Sequence, residues 1–303
     1  MFRWNPFSRN RPSIEGSKIQ RFNEPGLHKF SDDNNDNPKA DVIFVHGLKG
    51  RALSTWHPGN GCNEECFPFW LGKEFKEKVN IWSFGYEAEP SKWFGSGRSM
   101  PIYDRALNFR ERLVNKKLGQ RPLIFITHSL GGLIVKKMLL ISPGDEKKAA
   151  ILEQTKGVVF LGTPHTGSNL AIYLNNLVQY FGLPGQLVAR PNKILKELES
   201  NATYLHELND EFTNKFYDLK IKAKVFFEKY PVPKVGIVVP ENSGKLNIPG
   251  VQNLPADADH ISIARPKDQE DVVYEGVRDF LEECLSDASQ AEQQKEPEII
   301  SNP

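Results

Sequence analysis

Apolar and polar positions alternate along the chain in two textures. Short apolar runs rich in β-branched and aromatic residues stand at residues 41–45, 80–86, 122–127, 157–162, 223–227 and 236–239. Such runs predict buried strands. Between them lie longer stretches with apolar residues three and four apart. Residues 102–118 carry Ala106, Leu107, Phe109, Leu113 and Val114 on one helical face, and residues 130–141 and 269–285 repeat the pattern. Strands alternating with helices predict an α/β fold with a mostly parallel central sheet and helices on both faces.

One stretch interrupts the alternation. Residues of about 168–218 hold two amphipathic halves divided by Pro184-Gly185, one with Leu170, Tyr173, Leu174, Leu177, Val178 and Phe181, the other with Ile194, Leu198, Leu205, Leu208 and Phe212. This insertion follows a strand's carboxyl end, where ligands bind in open α/β sheets, so it is expected to be a helical cap over the site. The expected organisation is a flexible basic arm over 1–18, one α/β domain over 19–285 that includes the cap, and a disordered acidic tail over 286–303.

The most informative local run is Ile124-Phe125-Ile126-Thr127-His128-Ser129-Leu130-Gly131-Gly132. A buried strand runs straight into a serine, two glycines and a helix. A serine on so sharp a turn has its hydroxyl exposed, and small neighbours are needed where strand and helix close on each other. Ser129 is therefore the expected nucleophile. Thr127 replaces the usual first glycine, so the turn is expected to open slightly or the neighbouring helix to shift. The Leu130 N–H, at a helix N-terminus, is one expected oxyanion donor. The second is the Leu48 N–H in the His46-Gly47-Leu48-Lys49-Gly50 loop, with His46 structural beneath it.

The partner base must be a histidine. After such an elbow the chain order is nucleophile, acid, histidine. His165 comes too early but is expected to contact substrate, and His206 lies at helical spacing in the insertion. His260, between a polar loop and the last helix, is the expected base. Glu228, at the end of an apolar run, is the first choice of acid, and Glu241 is the alternative. Asp257 and Asp259 stand too close to His260 in sequence. Trp56, Phe67, Phe69, Trp70, Trp93 and Phe94 either line an acyl-binding surface, with Trp56 touching substrate, or belong to the core.

Together Val45-His46-Gly47-Leu48, Phe84-Gly85-Tyr86, the Ser129 run, Phe160-Leu161-Gly162-Thr163-Pro164-His165 and Asp259-His260 resemble the serine-active-site-containing protein family. They also resemble its lipase-like relatives, the inositol-deacylase-type lipases and the hydrolase domains joined to fungal NTPase receptors. The matching pieces span residues of about 41–285. The resemblance implies the α/β-hydrolase fold and esterase, lipase or lipid-remodelling chemistry. It supports Ser129 and His260 by position and keeps Glu228 and Glu241 in competition. The expected activity is cleavage of an acyl or lipid ester through an acyl-enzyme on Ser129. The alternatives are an acyltransferase, a thioesterase, or a non-catalytic module that retains the scaffold. No further domain is expected, so the chain would act alone or through a separate protein partner.

Composition narrows the setting. Lys and Arg number 39 against 38 Asp and Glu, a net charge of +1, so no general attraction to nucleic acid is expected. The 3 cysteines are too few for a disulfide framework and fit a reducing, intracellular, cytoplasmic setting, with organelle association open. Cys62 and Cys66 with His57 form no strong metal pattern, and neither a metal nor an organic cofactor is expected. The N-terminal arm interleaves Arg3, Arg9 and Arg11 with Phe2, Trp4 and Phe7. It lacks the apolar centre of a secretory signal, and Pro6 and Pro12 oppose an amphipathic helix. Peripheral membrane contact through this arm stays open.

Overall fold

The computed structural model describes residues 24–31, 37–59, 65–88, 102–166, 176 and 191–293. Its centre is a seven-stranded sheet: β1 (Gly26–Lys29), β2 (Ala40–Val45), β3 (Val79–Gly85), β4 (Leu123–His128), β5 (Thr155–Leu161), β6 (Lys222–Glu228) and β7 (Gln252–Ala256). The spatial order is β1-β3-β2-β4-β5-β6-β7. All neighbours run parallel except β1, which pairs antiparallel with β3.

The central strands are buried on both faces, which explains their unbroken apolar runs. On β2, Val42 and Phe44 join one core with Phe67, Trp70 and Leu71 of α1 (Phe67–Phe75). Val273, Tyr274, Val277 and Phe280 of the last helix, Val272–Gln293, complete that layer. Ile43 and Val45 point the other way, towards Phe109 and Leu113 of α2 (Ile102–Asn115), Ile134 and Met138 of α3 (Leu130–Leu140) and Ile151 of α4 (Glu146–Gln154). The two-residue period of a strand distributes alternate side chains to the two layers. Truncating one of the fully buried phenylalanines, such as Phe125, to alanine costs about 3–5 kcal/mol.

The second half of the expected cap is α5 (Pro191–Lys215). Leu205, Leu208 and Phe212 of α5 are buried, and Lys136 of α3 is fully buried with its Nζ donating to Asn209 Oδ1 of α5 at 2.8 Å. The Lys136 ammonium also lies over the Phe160 and Phe212 rings, and burial lowers its pKa well below the usual lysine value. Apart from Asn176, the first half of the cap lies outside the described residues, as do the N-terminal arm, Trp93, Phe94 and Cys62.

Three expectations need correction. Residues 236–239 form no strand. Only an isolated bridge pairs Val232 with Gly236, because the Val238 and Val239 N–H groups donate to the Glu228 carboxylate. The seventh strand is instead Gln252–Ala256, whose pattern is mostly half-exposed and includes Pro255, tolerated at a sheet edge. The last helix continues to Gln293 rather than ending near 285. Its added turns are tied back to the sheet, where Lys222 pairs with Glu283 and Asp287. A structureless tail is thus excluded for residues 286–293, and the remainder lies outside the described residues. Among the described residues, no helix is long and apolar enough to cross a membrane, and no group of three or more His, Cys, Asp or Glu side chains is placed to hold a metal ion. Cys66 is fully buried ahead of α1.

Candidate active site

The strand order reverses between β2 and β4, whose return connections go to opposite edges of the sheet. Such a switch point leaves a crevice at the carboxyl ends of the strands. β2 delivers Val45-His46-Gly47 to this crevice, and β4 delivers His128-Ser129.

Ser129 adopts φ 54° and ψ −126°, a conformation L-residues rarely hold. Its backbone is fixed on both sides: its N–H donates to the Leu161 carbonyl at 2.9 Å, and its carbonyl accepts from Thr163 Oγ1 at 3.1 Å. Clearance comes from glycine. A Cβ at Gly131 would collide with the carbonyl oxygens of Val45 and His46, and one at Gly47 would sit 2.6 Å from the Ser129 Cβ. Thr127, the departure from the usual glycine, is fully buried and donates its hydroxyl to the Val159 carbonyl at 2.8 Å. The extra side chain is thus absorbed by the neighbouring strand.

Ser129 Oγ lies 3.1 Å from His260 Nε2. His260 Nδ1 lies 2.7 Å from Glu228 Oε2. A carboxylate only accepts, so the hydrogen is on Nδ1, which leaves the Nε2 lone pair facing the serine hydroxyl. The other Glu228 oxygen accepts from the Val238 and Val239 N–H groups at 2.7 and 2.8 Å. All three side chains are buried.

Glu241 is not part of this set. It stands on the outside, paired with Lys229 and Lys245. Hydrogen bonds from those two ammonium groups pull its pKa down to about 2. Asp259 is turned onto its own loop, where Oδ1 accepts from the N–H groups of Ile261 and Ser262. His206 is exposed on α5. The substrate-contact expectation for Trp56 is corrected: the ring is fully buried, packed edge-on against Phe44 and His128. Phe67 and Trp70 are core as well. His165 is also buried, edge-on to Phe160, with neither ring nitrogen bonded among the described residues. Burial, and then the charge of Lys136, hold its pKa well below the usual histidine value.

Leu48 follows Gly47 directly beside Ser129, and Leu130 opens α3. The first residue of a helix has no intrahelical acceptor for its N–H. The Gly47–Leu48 loop is braced from below. His46 stacks on Tyr86 at 4.2 Å between ring centroids. The Tyr86 hydroxyl donates to the His46 carbonyl at 2.6 Å, and the Tyr86 N–H donates to His46 Nε2. Burial holds the His46 pKa down to about 4, with Arg105 adding to the effect. Above the site, the side chains of Leu48, Leu130 and Leu133 form one apolar cluster with Leu205 and Leu208 of α5 and with Val232, Val238 and Val239.

Sequence reasoning missed the structural roles of Thr163, Tyr86 and His128. Each acts on a residue remote in sequence, so the short runs that contain them were visible as motifs while their contacts were not.

A switch-point crevice entered by a strained serine between a parallel strand and a helix is diagnostic. The chain is an α/β-hydrolase by fold. No family model matches the chain. In sequence it is similar to the protein SERAC1 of Danio rerio, with 33% identity over 272 residues that cover 82% of this chain and 39% of that protein. It is also similar to the protein SERAC1 of Homo sapiens, with 30% identity over 271 residues and the same coverage. The chain thus spans about two fifths of the length of these curated relatives. In structure it is similar to an alpha/beta hydrolase enzyme from the metagenome of lagoon sediments of Mar Chica, Morocco. That match has a TM-score of 0.49 and 14% identity, covering 87% of this chain and 95% of the other.

Proposed function

We propose that this α/β-hydrolase is a serine hydrolase that cleaves an acyl ester through a covalent acyl-enzyme on Ser129. The observation that carries the reading is the buried relay from Ser129 Oγ to His260 Nε2 at 3.1 Å and from His260 Nδ1 to Glu228 Oε2 at 2.7 Å. His260 takes the serine proton at Nε2 as Oγ attacks the ester carbonyl carbon. The oxyanion that forms is held by the N–H groups of Leu130 and Leu48, preorganised and water-poor. His260 returns its proton to the departing alkoxide oxygen, and the ester C–O bond breaks. Water, deprotonated by the same nitrogen, then attacks the acyl carbon, the bond from that carbon to Ser129 Oγ breaks as His260 returns the proton to Oγ, and a carboxylic acid leaves. Glu228 fixes the imidazole tautomer throughout and stabilises the imidazolium.

The apolar surroundings of the serine support an apolar acyl group, which part of their packed cluster would have to open to admit. The residues nominated as oxyanion donors carry leucine side chains, and these join an apolar cluster that continues onto α5. An apolar acyl group removed from water there gains roughly 0.8 kcal/mol per buried methylene. Acyl esters, lipid esters among them, are therefore the favoured substrates.

The test is labelling with a fluorophosphonate probe, which reacts only with an activated serine. Wild type is expected to label and Ser129→Ala not to. Equal labelling of the two, or no labelling of folded wild type, refutes the nucleophile.

A further inference from the structure

His128 immediately precedes the nucleophile, yet its side chain reaches the base. Its Nε2 lies 2.8 Å from the backbone carbonyl oxygen of His260. The two rings stand 5.1 Å apart between centroids, tilted by 43°. His128 is buried, with the Trp56 indole edge-on at 6.4 Å. A carbonyl only accepts, so the hydrogen of the neutral ring is on Nε2. Nδ1 has no hydrogen-bond partner among the described residues. Within that set, the ring's one polar anchor is therefore the His260 backbone.

We propose that His128 is a positioning residue for His260, coupling the nucleophile turn to the loop that carries the base through one buried hydrogen bond. This rests on the serine-hydrolase reading above. The elbow fixes the Ser129 backbone, and Glu228 fixes the far side of the imidazole. Neither sets the height of the His260 backbone over the serine. The loop is tied on its entering side, where the Lys229 and Tyr230 N–H groups donate to the Ala258 carbonyl. It is tied on its leaving side by Asp259, which caps Ile261 and Ser262. His128 grips the residue between these ties, from the same chain segment that holds the hydroxyl. A shift of His260 would lengthen the 3.1 Å contact to Ser129 Oγ directly, and misplacement of a reacting group by about 1 Å costs on the order of a hundredfold in rate.

The neutral state of His128 serves the same end. Burial holds its pKa well below the usual histidine value, and the neighbouring His260, then Arg265 and His46, press it in the same direction. When His260 becomes an imidazolium during turnover, its ring neighbour is uncharged and does not oppose the charge.

The experiment compares inactivation by the fluorophosphonate in wild type, His128→Phe and His128→Gln, with Ser129→Ala as blank. Phenylalanine keeps a ring against Trp56 but cannot donate. Glutamine places an amide N–H near the position of Nε2. Expected is a drop in kinact of roughly ten- to a hundredfold for His128→Phe, with KI within about twofold of wild type and recovery in His128→Gln to within about threefold. Melting temperatures are recorded alongside. If His128→Phe does not fold, His128→Gln against wild type carries the test, and a kinact there more than about tenfold below wild type overturns the proposal. Wild-type kinact in folded His128→Phe also overturns it, as does equal impairment of both variants. Failure of wild type to label, or labelling of Ser129→Ala, would instead defeat the underlying reading, so the two failures are distinct.

Discussion

The ends of β4 and β6 supply the two side chains that bond to the His260 ring, Ser129 and Glu228, and they hold them by different physics. At the end of β4, Ser129 is held by its own backbone. It sits at φ 54°, with glycines at 47 and 131 clearing the space around it. The information is local, since a strand, a small-residue turn and a helix follow each other within a few residues. At the end of β6, Glu228 has an ordinary strand backbone and is held by donors from elsewhere. The Val238 and Val239 N–H groups and the His260 ring take its two oxygens. A strained serine can thus be written into a turn, whereas a buried carboxylate needs a loop that gives up its own pairing. That is why residues 236–239 look like a strand and are not one.

The comparison is most severely tested by Glu228→Gln. The glutamine oxygen can still accept from Val238 and Val239, so the fold is retained. Its amide then faces Nδ1 and donates to it, which moves the imidazole hydrogen to Nε2 and blocks proton uptake from Ser129. The expected loss of labelling rate is about 10³–10⁴-fold, the scale of a wrong-tautomer histidine. A near-normal rate would detach the carboxylate from the mechanism.

Next in size is acid sensitivity. His46, His128 and His165 are all held neutral mainly by burial. With a folded pKa below the usual 6.5, each binds its proton in the unfolded chain first. Their stabilising contribution is complete above about pH 6.5 and is lost as pH falls towards the folded values, about 4 for His46. Each group removes up to about 1.4 kcal/mol per pH unit in that window. Thermal melts at pH 7.5, 6 and 5 should show a falling midpoint, and a flat profile would contradict the burial of these rings.

A smaller effect probes the strain itself. Ser129→Gly relieves the positive φ and should raise the urea midpoint, by an amount equivalent to about 1 kcal/mol of unfolding free energy, while abolishing labelling. A lowered midpoint would mean that the hydrogen bond to His260 outweighs the backbone strain. Smallest is Glu241→Gln. The residue is exposed between two lysines, and exposed pairs contribute little. Labelling should stay at the wild-type rate with the melting midpoint nearly unchanged. Loss of labelling here, with Glu228→Gln active, would exchange the two carboxylates.

The chain's own pattern determined the central strands, the helices on both faces, the serine turn and the late histidine. These follow from periodicity and from steric demands within a few residues, so they are legible without partners. The edge strand Gln252–Ala256, half-exposed and containing Pro255, lacks the apolar signature and was hidden. Trp56 reads equally well as core or as binding surface, because an aromatic side chain fits either, and only packing against Phe44 and His128 decides for the core. The sequence ranked Glu228 ahead of Glu241 by its place at the end of an apolar run, but kept both in play. Both are late glutamates, and what separates them is which one meets two backbone donors and an imidazole in a buried place, a matter of three-dimensional convergence across loops far apart in the chain.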